Sequence, residues 1–153
     1  MTVTLTGRKV LREKWQQLVE DDMVGAGKSL VAAYAYQKGK LGGVTPCLVI
    51  VSEGTEPVGP ENSLYTYEYL GFHSFVLYED SDFTEQDSEN AADAIAKDIR
   101  ELVELYSDRT QETNPEWEYA EMGRSVVDAY TDLEGEEYRH EHFPITLIVP
   151  NSG

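Results

Sequence analysis

The clearest pattern of apolar and polar positions lies between Ser88 and Ser107. Its apolar side chains recur at steps of three and four residues, which places them on one face of an α-helix, while charged side chains take the other face. The apolar set is Ala92, Ile95, Ile99, Leu102, Val103 and Tyr106. Thr84 and Ser88 are the candidate N-caps. The segment predicts a surface helix that lies on an apolar layer.

Alternating apolar and polar positions predict strands on both sides of this helix. One runs through 63–79, with a break near Gly71 that is either a bulge or a hairpin turn. Two more, 125–131 and 138–149, form a hairpin around a turn at 132–135. The apolar run 47–52 predicts a short strand that is buried on both faces.

The amino-terminal part predicts a first helix over 8–24, with Leu11, Trp15, Leu18 and Val19 on its apolar face and Thr6 as the N-cap. Basic residues crowd its amino end and acidic residues its carboxyl end, which opposes the helix dipole. Either these charges interact with a neighbour, or salt screens their unfavourable interaction with the helix dipole. The segment 29–37 favours a strand, although its alanines leave a helix open.

The remaining segments, 53–62 and 108–123, are expected to be loops, with Trp117 anchoring the second to the core. The pattern therefore predicts one domain over 1–153, of the α+β class. We expect a mixed, mostly antiparallel sheet of about 4–6 strands with two helices packed against it. Apolar runs are too short to span a membrane and no secretory signal is evident, so a reducing cytoplasm is the expected compartment.

Charge is the unusual feature of the composition. The chain has 29 acidic and 12 basic residues, a net charge of −17. Residues 1–40 carry seven basic and four acidic side chains, whereas 79–141 carry five basic and 21 acidic ones. Such a bipolar chain repels nucleic acid over most of its surface and can attract a basic partner or a second copy of itself. A solubilising acidic coat or adaptation to high salt explains the composition equally well.

No catalytic motif emerges from the sequence. The segment 25–29, GAGKS, fails as a phosphate loop because Asp22 stands where the first glycine is needed and a helix, not a strand, enters it; a glycine turn after the helix is expected. His140 and His142 share one face of a strand at a spacing that suits zinc, but no third ligand is specified. Cys47 is expected to be a small core residue. We therefore expect no enzyme, no cofactor and no metal site.

Tyr65, Tyr67 and Tyr69 alternate along one face of a predicted strand. Tyrosine rings in a row are typical of an interface, and they are equally compatible with packing beneath a helix. The candidate subunit-interface residues are Arg8, Lys9, Arg12, Trp15, Tyr65, Tyr67 and Tyr69.

Three features of the chain occur together. The first is an amino-terminal helix followed by a tyrosine-rich segment and 42–55, GGVTPCLVIVSEGT. The second is the strand 72–82, FHSFVLYEDSD, which leads into the amphipathic helix. The third is the closing hairpin 125–149, with Gly135, Tyr138 and Glu141 before an apolar strand. Together they resemble the tail terminator proteins, also called tail completion or head–tail joining proteins, of long-tailed bacteriophages.

This resemblance implies a structural virion protein without an active site. Members of the family form hexameric rings that cap the tail tube and join it to the head. Expected partners are further copies of the chain and other tail and neck proteins, with DNA passing through unbound, no membrane, and a place in the virion after synthesis in the host cytoplasm. We expect removal of 1–24 to abolish the ring and leave a folded monomer. One alternative is an acidic DNA mimic that inhibits a basic nucleic-acid-binding protein. Another is a small enzyme or nucleotide binder that uses Lys28 and Ser29.

Overall fold

The computed structural model of the protein describes residues 7–57 and 64–150. Along these ranges the elements are α1 (Arg8–Met23), β1 (Ala32–Tyr34), β2 (Cys47–Pro57), β3 (Tyr65–Leu77), α2 (Glu85–Leu105), β4 (Tyr119–Met122), β5 (Val126–Thr131) and β6 (Glu137–Pro150). The predicted α+β class is confirmed, since the described residues form two helices and a mixed six-stranded sheet that is mostly antiparallel.

The sheet is built around β3 and β6. Its strand order is β1-β2-β3-β6-β4, and β5 pairs with the other end of β6. The pair β1 and β2 is parallel, and the other pairs of named strands within 7–57 and 64–150 are antiparallel. β4 pairs with β6 at Ile145–Ile148, whereas β5 pairs with it between Glu137 and His142. One long strand therefore organises both the closing hairpin and the far edge of the sheet.

Both helices pack on one face of this sheet, where they form the main core. Alternate strand residues such as Ile50, Phe72 and Phe143 meet the apolar faces of α1 and α2. From α1 the buried residues are Leu11, Trp15, Leu18, Val19 and Met23. Because α1 supplies five buried side chains to this core, we expect deletion of 1–24 to unfold the chain, and not to leave the folded monomer that the sequence suggested.

Trp117 is anchored in the core as predicted. Its ring stacks on Trp15 with centroids 4.6 Å apart, and its Nε1 donates a hydrogen bond of 3.0 Å to the Tyr106 carbonyl. The Arg109 guanidinium lies 4.3 Å from the ring centroid, in cation–π geometry. The stacked pair joins α1 to the segment after α2.

The helix ends agree in part with the predicted caps. Thr84 caps α2 in a reciprocal capping box with Asp87, so the helix begins at Glu85 and not at Ser88. Ser88 is buried and its hydroxyl donates to the Leu77 carbonyl at 2.6 Å. At α1 the N-cap is Gly7, without a side-chain cap, and Thr6 lies outside the described residues.

Three strand predictions require correction. β2 continues to Pro57 because β3 pairs with it as far as Thr66, so 53–57 is strand and not loop; 58–62 lies outside the described residues. The expected loop 108–123 contains β4. β3 runs straight through Gly71, and the bulge lies in the neighbouring strand between Ser52 and Gly54.

The glycine segment after α1 is the turn that the sequence predicted. Gly25 and Gly27 have φ values of 140° and 78°, in the region that disfavours residues with a Cβ. The Lys28 ammonium donates 2.9 Å to the carbonyl of Asp21, at the end of α1. Lys28 therefore compensates the carboxyl end of the helix.

A second apolar cluster lies on the opposite face of the sheet, under the connection between β1 and β2. It contains Leu41, Cys47, Val49, Phe75 and Tyr138. Asp132, in the turn between β5 and β6, holds this connection in place: its carboxylate accepts hydrogen bonds from the backbone N–H groups of Leu41, Glu134 and Glu136 and from the Tyr138 hydroxyl. One buried carboxylate therefore links the connection to the hairpin turn.

Replacing Trp117 with alanine should lower the free energy of unfolding by about 3–5 kcal/mol, since the change removes a fully buried ring and its stacking partner. Chemical denaturation monitored by circular dichroism measures the loss. Leu105→Ala, at an exposed position at the end of α2, is the control and should change stability by less than about 0.5 kcal/mol. Equal losses in the two variants would contradict the assigned core.

Asp132→Asn should lower the melting temperature at neutral pH and flatten its fall toward acid pH. Burial alone would raise the pKa of Asp132, but the N–H groups of Glu136, Leu41 and Glu134 and the Tyr138 hydroxyl together hold this pKa below its usual value. A depressed pKa gives stability that is present when the carboxylate is ionised and is lost as pH falls through the folded-state pKa. Thermal melts across that range compare Asp132→Asn with Glu134→Gln, which removes a charge from the same turn and should retain the native profile.

Candidate functional site

The face of the sheet opposite the two helices carries the tyrosines singled out by the sequence. Leu70 and Phe72 of β3 point into the helix-side core, so Tyr65, Tyr67 and Tyr69 point the other way. This excludes packing beneath either helix. All three side chains are half-buried.

These tyrosines form part of a larger surface. In the sheet, Tyr67 lies opposite Ile148, and Ile148 lies opposite Tyr119, which is 44% exposed. Tyr67 and Tyr69 have ring centroids 6.4 Å apart, and the Tyr69 hydroxyl donates 2.8 Å to the Glu56 carboxylate. We refer to Tyr65, Tyr67, Tyr69, Tyr119 and Ile148 as the aromatic patch.

The other candidate interface residues lie on α1, on the far side of the sheet. Trp15 has no exposed surface, so it belongs to the core and is withdrawn from the candidate interface. Arg12 donates to the Ala35 carbonyl and the Ser52 hydroxyl, at 3.0 and 2.7 Å. Arg8 donates to Thr55 of β2 at 2.7 Å.

The basic end of α1 thus meets β2 of its own chain and does not lie beside the tyrosines. Lys9 stays exposed and lies 3.7 Å from Glu13. Between α1 and 35–36 is an open groove of about 540 Å³, whose charged lining residues are Lys9, Arg12, Glu13, Glu20 and Asp21. The α1 groove and the aromatic patch are two separate surfaces.

Next to the aromatic patch, the open face carries a cluster of three histidines. His73 lies directly opposite His142 in the pairing of β3 with β6, and His140 lies opposite Phe75. The His73 ring stacks between the other two, with centroid distances of 4.5 Å to His142 and 5.0 Å to His140. We call these histidines, with Glu53 and Asp128, the histidine cluster.

Hydrogen bonds order this cluster. His140 Nδ1 lies 2.6 Å from an Asp128 carboxylate oxygen, and since an ionised carboxylate only accepts, Nδ1 carries the proton. His140 Nε2 is then the acceptor in neutral imidazole, and His73 Nδ1–H donates a hydrogen bond of 2.8 Å to it. This leaves the lone pair of His73 on Nε2.

Glu53 lies against the outer nitrogens of the other two rings. One of its oxygens is 2.9 Å from His142 Nε2, and the other is 3.8 Å from His73 Nε2. Burial, and then the neighbouring His142 and His140, lower the pKa of His73 to about 4, while Glu53 and Asp128 act in the opposite direction. His73 is therefore neutral at physiological pH.

Gly71 and the bulge in β2 explain how Glu53 reaches this position. The bulge inserts Glu53 as the extra residue between Ser52 and Gly54. Its carboxylate occupies the space above Gly71, where a Cβ would lie only 2.6–2.7 Å from the carboxylate atoms. Glycine at this position leaves room for the Glu53 carboxylate, which a Cβ would displace.

A cavity of about 350 Å³ adjoins the histidine cluster. Its walls are Val49, Val51, Phe75 and Tyr130, with Gln37 and Lys38 at the side, and His73, His140 and Glu53 supply further polar atoms. Cys47, in the same strand as Val49, is buried, as the sequence suggested for a core residue, and burial raises its pKa to about 12. The Cys47 thiol is therefore protonated and does not serve as a nucleophile or a thiolate ligand.

Sequence reasoning identified His140 and His142 but not His73, Glu53 or Gly71. The available signal was His73 in a predicted strand and a histidine pair in another strand. Their meeting depends on the register of β3 against β6, and the position of Glu53 depends on a bulge. Neither the register nor the bulge can be read from the residue types alone.

No protein-family model matches the sequence, and no curated protein matches it either. Neither helix within 7–57 and 64–150 has the length and apolar character required to cross a membrane.

Proposed function

We propose that the chain is a structural subunit of a ring, of the kind that terminates the tail tube of a long-tailed bacteriophage and joins it to the head. The observation that carries this proposal is the aromatic patch. Tyrosine is enriched at protein interfaces because its ring buries a large area at low entropic cost. Its hydroxyl can also hydrogen-bond to water at the solvated edge of an interface.

A closed ring requires two different surfaces, because each subunit presents one patch to the neighbour ahead and another to the neighbour behind. The aromatic patch and the α1 groove lie on opposite sides of the sheet and differ in chemistry. The first is mostly aromatic with Glu56 at its border, whereas the second carries charges of both signs, with Lys9 as its exposed cation. In the proposed assembly, the aromatic patch of one copy fits against the α1 groove of the next.

The acidity of the chain supports a conduit for DNA. Adhesion of proteins to DNA depends on lysine and arginine contacts to phosphates. The outward face of α2 carries Asp93, Asp98, Glu101 and Glu104 among few cations. A ring of such subunits lets a nucleic acid pass without holding it, which is the requirement at a junction between head and tail.

Tyr67→Ser combined with Tyr69→Ser should break the ring into monomers. Central aromatic residues at interfaces contribute about 2 kcal/mol or more each, which is roughly a 30-fold loss of affinity per residue. Sedimentation velocity and native mass spectrometry of the full chain should give closed rings, of six copies for this family, for the parent protein and monomers for the variant.

Two matched variants complete the design. Val127→Ser removes an exposed apolar side chain from β5, outside the patch, and should leave the ring intact. Lys9→Glu should weaken assembly, and adding Glu56→Lys should restore it if the two surfaces meet.

A parent protein that stays monomeric at every concentration and salt, or a double tyrosine variant that still forms rings, contradicts the proposal. A monomer that captures a basic nucleic-acid-binding protein in a salt-sensitive complex would favour the DNA-mimic alternative.

A further inference from the structure

We infer that Glu53, His73 and His142 form a binding site for one divalent transition-metal ion, with Zn²⁺ as the expected occupant. The site is independent of the proposed ring function, because all three ligands come from one chain. They lie on three adjacent strands: Glu53 on β2, His73 on β3 and His142 on β6.

The spacing of the ligand atoms fits a small metal ion. Zn²⁺ lies about 2.0–2.1 Å from imidazole nitrogen and about 2.0–2.2 Å from carboxylate oxygen, so tetrahedral ligand atoms are roughly 3.3–3.5 Å apart. The Glu53 oxygens lie 2.9 and 3.8 Å from the two Nε2 atoms, on either side of that value. The three ligand atoms lie within 4.8 Å of one another. Without a metal, His142 Nε2 carries the proton that it donates to Glu53, so metal binding needs the other neutral tautomer of His142, with the proton on Nδ1. Small rotations of the two imidazoles then bring both Nε2 atoms to a common ion.

The second observation is the support behind His73. A metal-binding histidine typically donates its other ring N–H to an acceptor that fixes its tautomer and orientation, often a chain that ends in a carboxylate. Here His73 Nδ1 donates to His140, and His140 donates to Asp128. That relay leaves the His73 Nε2 lone pair on the side of Glu53. The structure therefore presents a ligand nitrogen in the tautomer that binds a metal.

The backbone also fixes the site before any ion arrives. His73 and His142 are a directly opposed cross-strand pair, so their Cβ atoms are held about 4.5–5.5 Å apart. Glu53 is delivered by the β2 bulge into the space left by Gly71. A residue with a Cβ at position 71 would displace the Glu53 carboxylate and leave both imidazoles in place.

The donor set selects the class of ion. Two imidazoles and one carboxylate suit Zn²⁺, Co²⁺, Ni²⁺ or Cu²⁺, whereas Mg²⁺ and Ca²⁺ prefer all-oxygen sites. Three protein ligands leave a fourth position for water or an anion. The neighbouring cavity gives that position access, with Lys38 at its wall.

The test is Zn²⁺ titration of the full, untagged, metal-stripped chain by isothermal calorimetry, in excess Mg²⁺ to occupy the many surface carboxylates. We expect one Zn²⁺ per chain, with a stoichiometry that does not depend on protein concentration. Co²⁺ should bind with the visible absorption of a four-coordinate site containing nitrogen ligands. Absence of any Zn²⁺ binding that survives excess Mg²⁺ overturns the inference.

Single substitutions identify the ligands. Glu53→Gln and His142→Asn should each weaken Zn²⁺ binding by at least about 10-fold, because each removes a direct ligand. Gly71→Ala should weaken it too, although it changes no ligand, since the new methyl group displaces Glu53. Glu121→Gln removes an exposed carboxylate from β4 and should bind Zn²⁺ like the parent. Circular dichroism verifies that each variant is folded. Binding that is unchanged in both Glu53→Gln and His142→Asn, or weakened equally by Glu121→Gln, would show surface binding only and overturn the assignment.

Discussion

The pairing of β3 with β6 is the constraint on which the rest of the structure depends. It runs from Tyr65 opposite Pro150 to Leu77 opposite Tyr138 without a break in register. The same register places Phe72 against Phe143 in the helix-side core and His73 beside His142 on the open face. Because side chains alternate along a strand, a slip of one residue would exchange the two faces and destroy both arrangements at once.

The fold class and the longer elements could be predicted because their patterns are strong. The helical period of α2 and the alternation of β6 from Phe143 to Val149 result from burial of one face only. The short strand β4 was not predicted because four residues are too few to show a period. The end of β2 was not predicted as strand because its Glu, Gly and Pro residues are exposed and resemble those of a loop. In both cases pairing with a long neighbour determines the strand, and pairing is a tertiary property.

The candidate site was also predictable only in part. The tyrosine row was visible because alternation is local, while the meeting of His73 with His142 required the register of distant strands. Gly71 illustrates the difference clearly: in the sequence it indicated an interruption, and in the structure it is an unbroken part of β3 that makes room for Glu53. The basic residues at the amino end of α1 have hydrogen-bond partners within the same chain. Arg8 donates to Thr55 and Arg12 donates to Ser52, both in β2. The neighbour that the charge pattern suggested includes the chain's own sheet.

The position of β6 has a consequence for synthesis of the protein. Of the described strands it is the one translated last, yet it lies in the middle of the sheet and pairs with β3, β4 and β5. While Glu137–Pro150 is still inside the ribosome, β4 and β5 have no strand to join and β3 presents a bare edge with its aromatic residues. Folding of the sheet must therefore finish after this segment has emerged, and until then β3 keeps an unpaired edge of the kind that promotes aggregation.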